Sequence, residues 1–226
     1  MENLPIYIST GFVATTLLTL FFLYKVANHS KKVLAVSLAW LAITATIGLS
    51  GFYLNTSVMP PRFLFLVGPP LVLILFLFTT PKGRAFIDRF NPAYATYLHV
   101  VRVPVELVLW ALFIYHYVPE LMTFEGRNFD VLSGITAPLV AYLGYTKVKL
   151  GKTLLLLWNF ICLGLLVNIV TNAILSAPFP FQQFAFDQPN VGVLYFPFVW
   201  LPGFIVPSVL LCHLVSIRRL MAQNSK

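Results

Sequence analysis

Three side chains able to hold a charge or a proton, His99, Arg102 and Glu106, lie in or beside an apolar stretch from Leu98 to Val118 that is long enough to cross a bilayer. A charge at that depth costs about 3 kcal/mol even on lenient insertion scales, so it persists where it is partnered or where it works. At about 100° per residue, positions 99, 102 and 106 fall within roughly 60° of one another, and Trp110, Phe113 and Tyr117 continue the stripe. One face of this helix therefore carries the polar chemistry. Arg102 offers a fixed positive charge and Glu106 a titratable group or counter-charge. Their four-residue spacing predicts a pair along the helix, which read blandly is a self-satisfied ion pair that fixes packing. Pro104 between them cannot donate to the Val100 carbonyl and adds an acceptor beside the charges.

Partners for this face must come from other spans. Asn159, Asn168, Thr171 and Asn172 share one apolar segment, with Trp158 beside them, and suit either helix-to-helix glue or the wall of a ligand site. The ligand-binding candidates are thus His99, Arg102, Glu106, Trp110, Asn159, Asn168 and Asn172. A second group, Glu125, Arg127 and Asp130, sits in the connection EGRNFD, where two carboxylates and a guanidinium would suit a membrane enzyme acting on a lipid-soluble substrate. The plainer expectation there is helix capping by Asn128 or Asp130. His99 and His213 fall toward the same side of two spans and are candidates for axial ligation of haem b, the one cofactor the residues suggest.

Other chemistries lack their residues. No Gly-x-Ser-x-Gly elbow or glycine-rich phosphate loop is present. No three ligands converge at one depth for zinc, and no lysine lies between residues 194 and 217 to attach retinal. Cys162 and Cys212 both fall within spans and read as packing residues.

The elements that must hold these groups are set by composition. Hydrophobic residues make up 59% and charged residues 10% of the chain, and mean hydropathy is +0.85, which describes a chain built for lipid. Apolar runs predict an all-α, polytopic membrane protein: one domain over residues 1–226, a bundle of seven transmembrane helices at about 5–27, 33–54, 63–80, 97–118, 129–145, 153–175 and 194–217. Lys25, Lys31, Lys32, Lys82, Arg84, Arg89, Lys147, Lys149, Lys152, Arg218, Arg219 and Lys226 all fall on one side. The positive-inside rule makes that side cytoplasmic, with the N-terminus outside and the C-terminus inside. Glu2, Glu120, Glu125, Asp130 and Asp187 fall opposite. The net charge of +8 then reports topology and attraction to anionic lipid, not nucleic-acid binding. Glu2 in place of a basic leader, and no cleavage site, predict that the first span is retained.

Internal prolines at 69, 70, 104, 138, 202 and 207 predict bent helices around a cavity. Segment 81–96 reads as an amphipathic stretch along the headgroups. The connections 119–130 and 176–192 read as an aromatic belt or as a cover over the bundle mouth. The expectation is an integral protein of the bacterial inner membrane, in contact with lipids, that binds and moves or senses a small polar or amphipathic molecule at a site on the fourth span. An enzyme or a structural subunit is the alternative, and oligomeric state is not legible.

Overall fold

The structure is a computed structural model describing residues 1 and 4–222, so Glu2 and Lys226 of the topology count lie outside the described residues. Every regular element described is helical. Among the described residues, five helical segments are long and apolar enough to cross a membrane. They are α1 (Ile6–Val26), α2 (Lys31–Leu49), the composite span Pro92–Ile114, α8 (Lys152–Leu175) and the segment Leu201–Ala222, which contains α9 (Val206–Ala222). A sixth results if α3 (Leu64–Thr79) and α4 (Pro81–Ile87), bent by 97°, count as one broken span. The remaining expected span is a shorter apolar helix, Val131–Thr146, made of α7 (Val131–Ala141) and a π-helical turn.

Local chemistry sets the boundaries. Thr80 is extended and its hydroxyl accepts from Gly83 N at 3.0 Å, with Pro81 opening α4. A Cβ at Gly83 would sit 2.6 Å from the Leu77 backbone, so the sharp turn of α4 against α3 needs glycine. Asn91 caps α5 (Pro92–Tyr97) through its side chain. A 3-10 turn at Leu98–Val101 then leads into α6 (Arg102–Ile114).

Two expectations for this span change. It begins at Pro92, earlier than residue 97, and ends at Ile114, so Tyr117 lies beyond the helix and off the polar stripe. Pro104 falls in the first turn of α6, where its missing N–H goes unneeded, and the expected kink is a change from 3-10 to α winding.

The two ends of the bundle are tied differently. At the basic end Arg218 grips Asp88 with two bonds and Arg219 donates to the Phe90 carbonyl at 2.7 Å. At the opposite end segment 176–192 is bonded to the helix ends, as the cover reading expects. Gln188 donates to the Phe113 and Val118 carbonyls, Asn190 donates to the Ala173 carbonyl, and Phe179 is buried. Near the start of α9, Pro207 has no N–H for the Gly203 carbonyl four residues earlier. Trp40 of α2 donates its indole N–H to that oxygen at 2.8 Å, and Trp200 returns a bond to Leu41.

Candidate functional site

The site begins with the length of α7. From Val131 to Thr146 the helix spans about 24 Å at 1.5 Å per residue, less than the roughly 30 Å of a hydrocarbon core. The loop before it packs inward against α6 and α8. Residues 119–128 form a compact plug that opens with a 3-10 turn, Glu120–Met122: Thr123 N donates to Glu120 O, and Gly126 N and Asn128 N donate to Thr123 O. Val118, Met122, Thr123 and Asn128 are buried. Backbone bonds within the plug, with Met122 N donating to Pro119 O and Arg127 N to Leu121 O, replace much of what a regular helix would supply. Gly126 passes so close to Glu120 and Leu121 that no side chain would fit.

This inward packing brings Asp130 to Arg102. Their ion pair is 2.8 Å long, and the same Nη1 donates to the Cys162 carbonyl of α8 at 3.2 Å. Gly134, one turn into α7, makes the approach possible, because a Cβ there would stand 2.8 Å from the Val103 side chain and 2.9 Å from its backbone nitrogen. The second guanidinium nitrogen, Nη2, donates to His213 Nε2 of α9 at 3.0 Å. Since a guanidinium only donates, Nε2 is the acceptor, and the ring proton must be on Nδ1, which faces Asn159 Oδ1 at 3.0 Å. Asn159 in turn donates to the Leu155 carbonyl. His213 is thereby held as a neutral imidazole.

His99 stacks on His213 with ring centroids 3.8 Å apart, and Trp158 meets it edge-on at 5.5 Å. At the other end Asn128 Nδ2 donates to Glu106 Oε1 and to the Met122 carbonyl, while Asn128 Oδ1 accepts from Asp130 N. The chain of contacts runs His99, His213, Arg102, Asp130, Asn128, Glu106. Relative exposures of the five ionisable members are 0, 0, 3, 6 and 2% respectively for His99, His213, Arg102, Asp130 and Glu106. Leu107, Ile135 and Leu139 point outward instead. Glu106 Oε2, Arg102 Nε and both His99 nitrogens have no hydrogen-bond partner in the protein.

Several expectations are redrawn by this geometry. Arg102 pairs with Asp130 and not along its own helix with Glu106. Neither expected cap forms: Asp130 stands at the N-cap of α7 but its side chain makes no cap bond, and Asn128 accepts from Asp130 N, ahead of the first turn. Trp110 stands apart and stacks on Phe124 at 6.1 Å. Asn168 is exposed and donates to the Arg127 carbonyl, with Asn172 donating to Asn168, so this pair ties α8 to the plug and does not reach Glu106. Glu125 is exposed and Arg127 lies over the Phe184 ring. The carboxylates of the EGRNFD segment thus part company, one buried and one at the surface. The haem pairing does not fit these rings: two axial imidazoles aim their nitrogens at one iron across a porphyrin, but His99 and His213 lie face to face and His213 Nε2 is taken by Arg102. Among the described residues no group of three or more His, Cys, Asp or Glu is placed to hold a metal ion.

Two cavities flank the cluster without including it. One, of about 460 Å³, opens at the loop end between Phe113, Glu120, Arg127, Asp187 and Gln188. The other, of about 190 Å³, is an apolar crevice between α1, α2, α3 and α9, lined by Leu23, Trp40, Pro70, Phe204 and Leu211 among others. Gly126 and Arg127 line the first, and Asn128, next to them in sequence, touches Glu106.

No curated protein matches the chain, and no solved structure matches it. Residues 59–221, more than half of the sequence and including all six members of the buried chain, match the model of a family described as a domain of unknown function, DUF8737. The chain belongs to the DUF8737 family.

Proposed function

We propose that this is a seven-span protein of the bacterial inner membrane, N-terminus outside and C-terminus cytoplasmic, that binds a small polar or amphipathic solute at the buried cluster and moves or senses it. The shorter helices α3 and Val131–Thr146 complete the seven in this reading. Outward orientation of the loop end follows from the basic residues gathered at the other. The observation that carries the functional reading is that polar atoms of Glu106 and His99 are buried with no protein partner, beside an arginine whose two terminal nitrogens are both engaged. A cluster built only to glue helices is expected to spend all its polar atoms on protein, because each one left over costs free energy in a dry interior.

The outer cavity, with Glu120, Arg127 and Asp187 at its wall, supports entry from outside, and displacement of the plug at Asn128 is the natural opening step. A structural reading draws on the tightly bonded Arg102–Asp130–His213 half, but it leaves Glu106 Oε2 and the His99 nitrogens without a task. The enzyme reading loses its proposed pair of outer carboxylates, since Asp130 is bonded to Arg102 and Glu125 lies at the surface. The test is uptake by proteoliposomes of glycine, glucose, acetate and methylammonium under an imposed pH gradient. At least one should enter with wild-type protein and stop entering with Glu106→Gln. Equal uptake by the two proteins, or none above empty vesicles, counts against the proposal.

A further inference from the structure

We infer that Glu106 is a proton-binding site, with its carboxyl group protonated on Oε2 while Arg102 remains paired with Asp130. This deepens the reading of the cluster as a working site by naming the species that Glu106 itself binds.

The inference rests on counting charge along the buried chain of contacts that ends at Glu106 and among the elements packed on α6. Its own helix supplies Arg102, and the preceding turn supplies His99. The plug and the start of α7 supply Asn128 and Asp130, while the plug's other charged groups, Glu120, Glu125 and Arg127, are exposed; α8 supplies Asn159 and Cys162, and α9 supplies His213. Helix α1, which packs on α6, brings no acidic or basic side chain between Tyr7 and Tyr24, and its buried Thr15, Thr16 and Thr19 bond carbonyls of their own helix.

One cation therefore faces two carboxyl groups. Asp130 takes it at 2.8 Å. His213 adds no charge, since its Nε2 accepts from Arg102 and its one ring proton lies toward Asn159. An imidazolium at His99 would have no acceptor for either N–H and would lie against the ring that Arg102 holds. A carboxylate at Glu106 would then be a buried charge with no cation of its own, an arrangement that strongly favours the neutral form. The amide of Asn128 fixes which oxygen carries the proton. Its Oδ1 must face the Asp130 N–H, so its Nδ2 donates to Glu106, and Oε1 is the acceptor. Oε2 has no donor and is left to bear the hydrogen.

Infrared spectroscopy of the full chain in lipid nanodiscs tests this, first in the wild type and then in single variants. Carboxyl-13C labelling of glutamate should shift a carboxylic-acid C=O band that is present at neutral pH, and Glu106→Gln should abolish that band while Glu120→Gln and Glu125→Gln leave it in place. Absence of any label-sensitive acid band in the wild type, or its survival in Glu106→Gln, overturns the assignment. The solute reading is separable in the same sample. If the band is present but glycine, glucose, acetate and methylammonium all leave it unmoved, the proton site stands and the solute reading fails. If a solute binds and no acid band exists, the proton site fails and the solute reading stands.

Discussion

Arg102 and Asp130, 28 positions apart in sequence, meet at 2.8 Å inside the bundle, and this one pair joins α6 to the point where the plug turns into α7. Removing one partner strands the other charge. Asp130→Asn is expected to destabilise the protein by about 3 kcal/mol or more, read as thermal unfolding in nanodiscs. Replacing both, Arg102→Met with Asp130→Leu, should recover much of that loss. A double variant less stable than the single one would show that the pair is not coupled in this way.

Arginine at position 102 is required by its shape as well as its charge. Its terminal nitrogens reach Asp130, the Cys162 carbonyl and His213 in three different directions. Arg102→Lys keeps the charge but offers one compact ammonium on a flexible stem, so the bond to His213 is the one expected to go. NMR of 15N-labelled histidine should report a changed tautomer or environment at His213. An unchanged spectrum would mean that Arg102 does not fix that ring.

Gly134 is the close-approach point of the site. Gly134→Ala places a methyl 2.8 Å from the Val103 side chain and 3.2 Å from Arg102 Cβ, and should cost about 1–3 kcal/mol through forced separation of α6 and α7. Gly164, with nothing within 4 Å of a built Cβ, is the control, and Gly164→Ala should be neutral or slightly stabilising. Equal melting temperatures for the two variants would contradict the packing described.

Trp40 and Pro207 form a testable pair. Trp40→Phe leaves the Gly203 carbonyl without its indole donor, at an expected cost of about 1–2 kcal/mol. Pro207→Ala restores a backbone N–H four residues beyond that carbonyl, so the double variant should melt higher than Trp40→Phe alone. Failure of the rescue would mean that the indole bond is not a substitute for the one proline removes.

The sequence made the membrane class and the inward polar face legible because both follow from periodicity and the cost of burying charge. Arg102 and Glu106 are read correctly as groups on one stripe, yet their partners are not, since a four-residue spacing suggests a local pair while the stronger partner lies on another element. Asp130 looks like a surface acid at the end of an outer loop. Its depth accompanies the shortness of α7, visible in hindsight as the early Ser133, Gly134 and Thr136 that weaken that span. Asn128 reads as an ordinary cap, and only the fold reveals that its other end holds Glu106. Asn168 and Asn172 mislead for the opposite reason: amides along one helix can serve a loop as readily as a cavity.

The most direct test is an experimental density map of the protein in lipid, read at Glu106 and His99. The account expects both side chains to face the bundle interior, with ordered water or solute density within hydrogen-bonding distance of Glu106 Oε2 or His99. Side chains of Arg102 and Glu106 set against acyl tails, or a dry seam in which Glu106 and His99 touch only protein carbon, would contradict it.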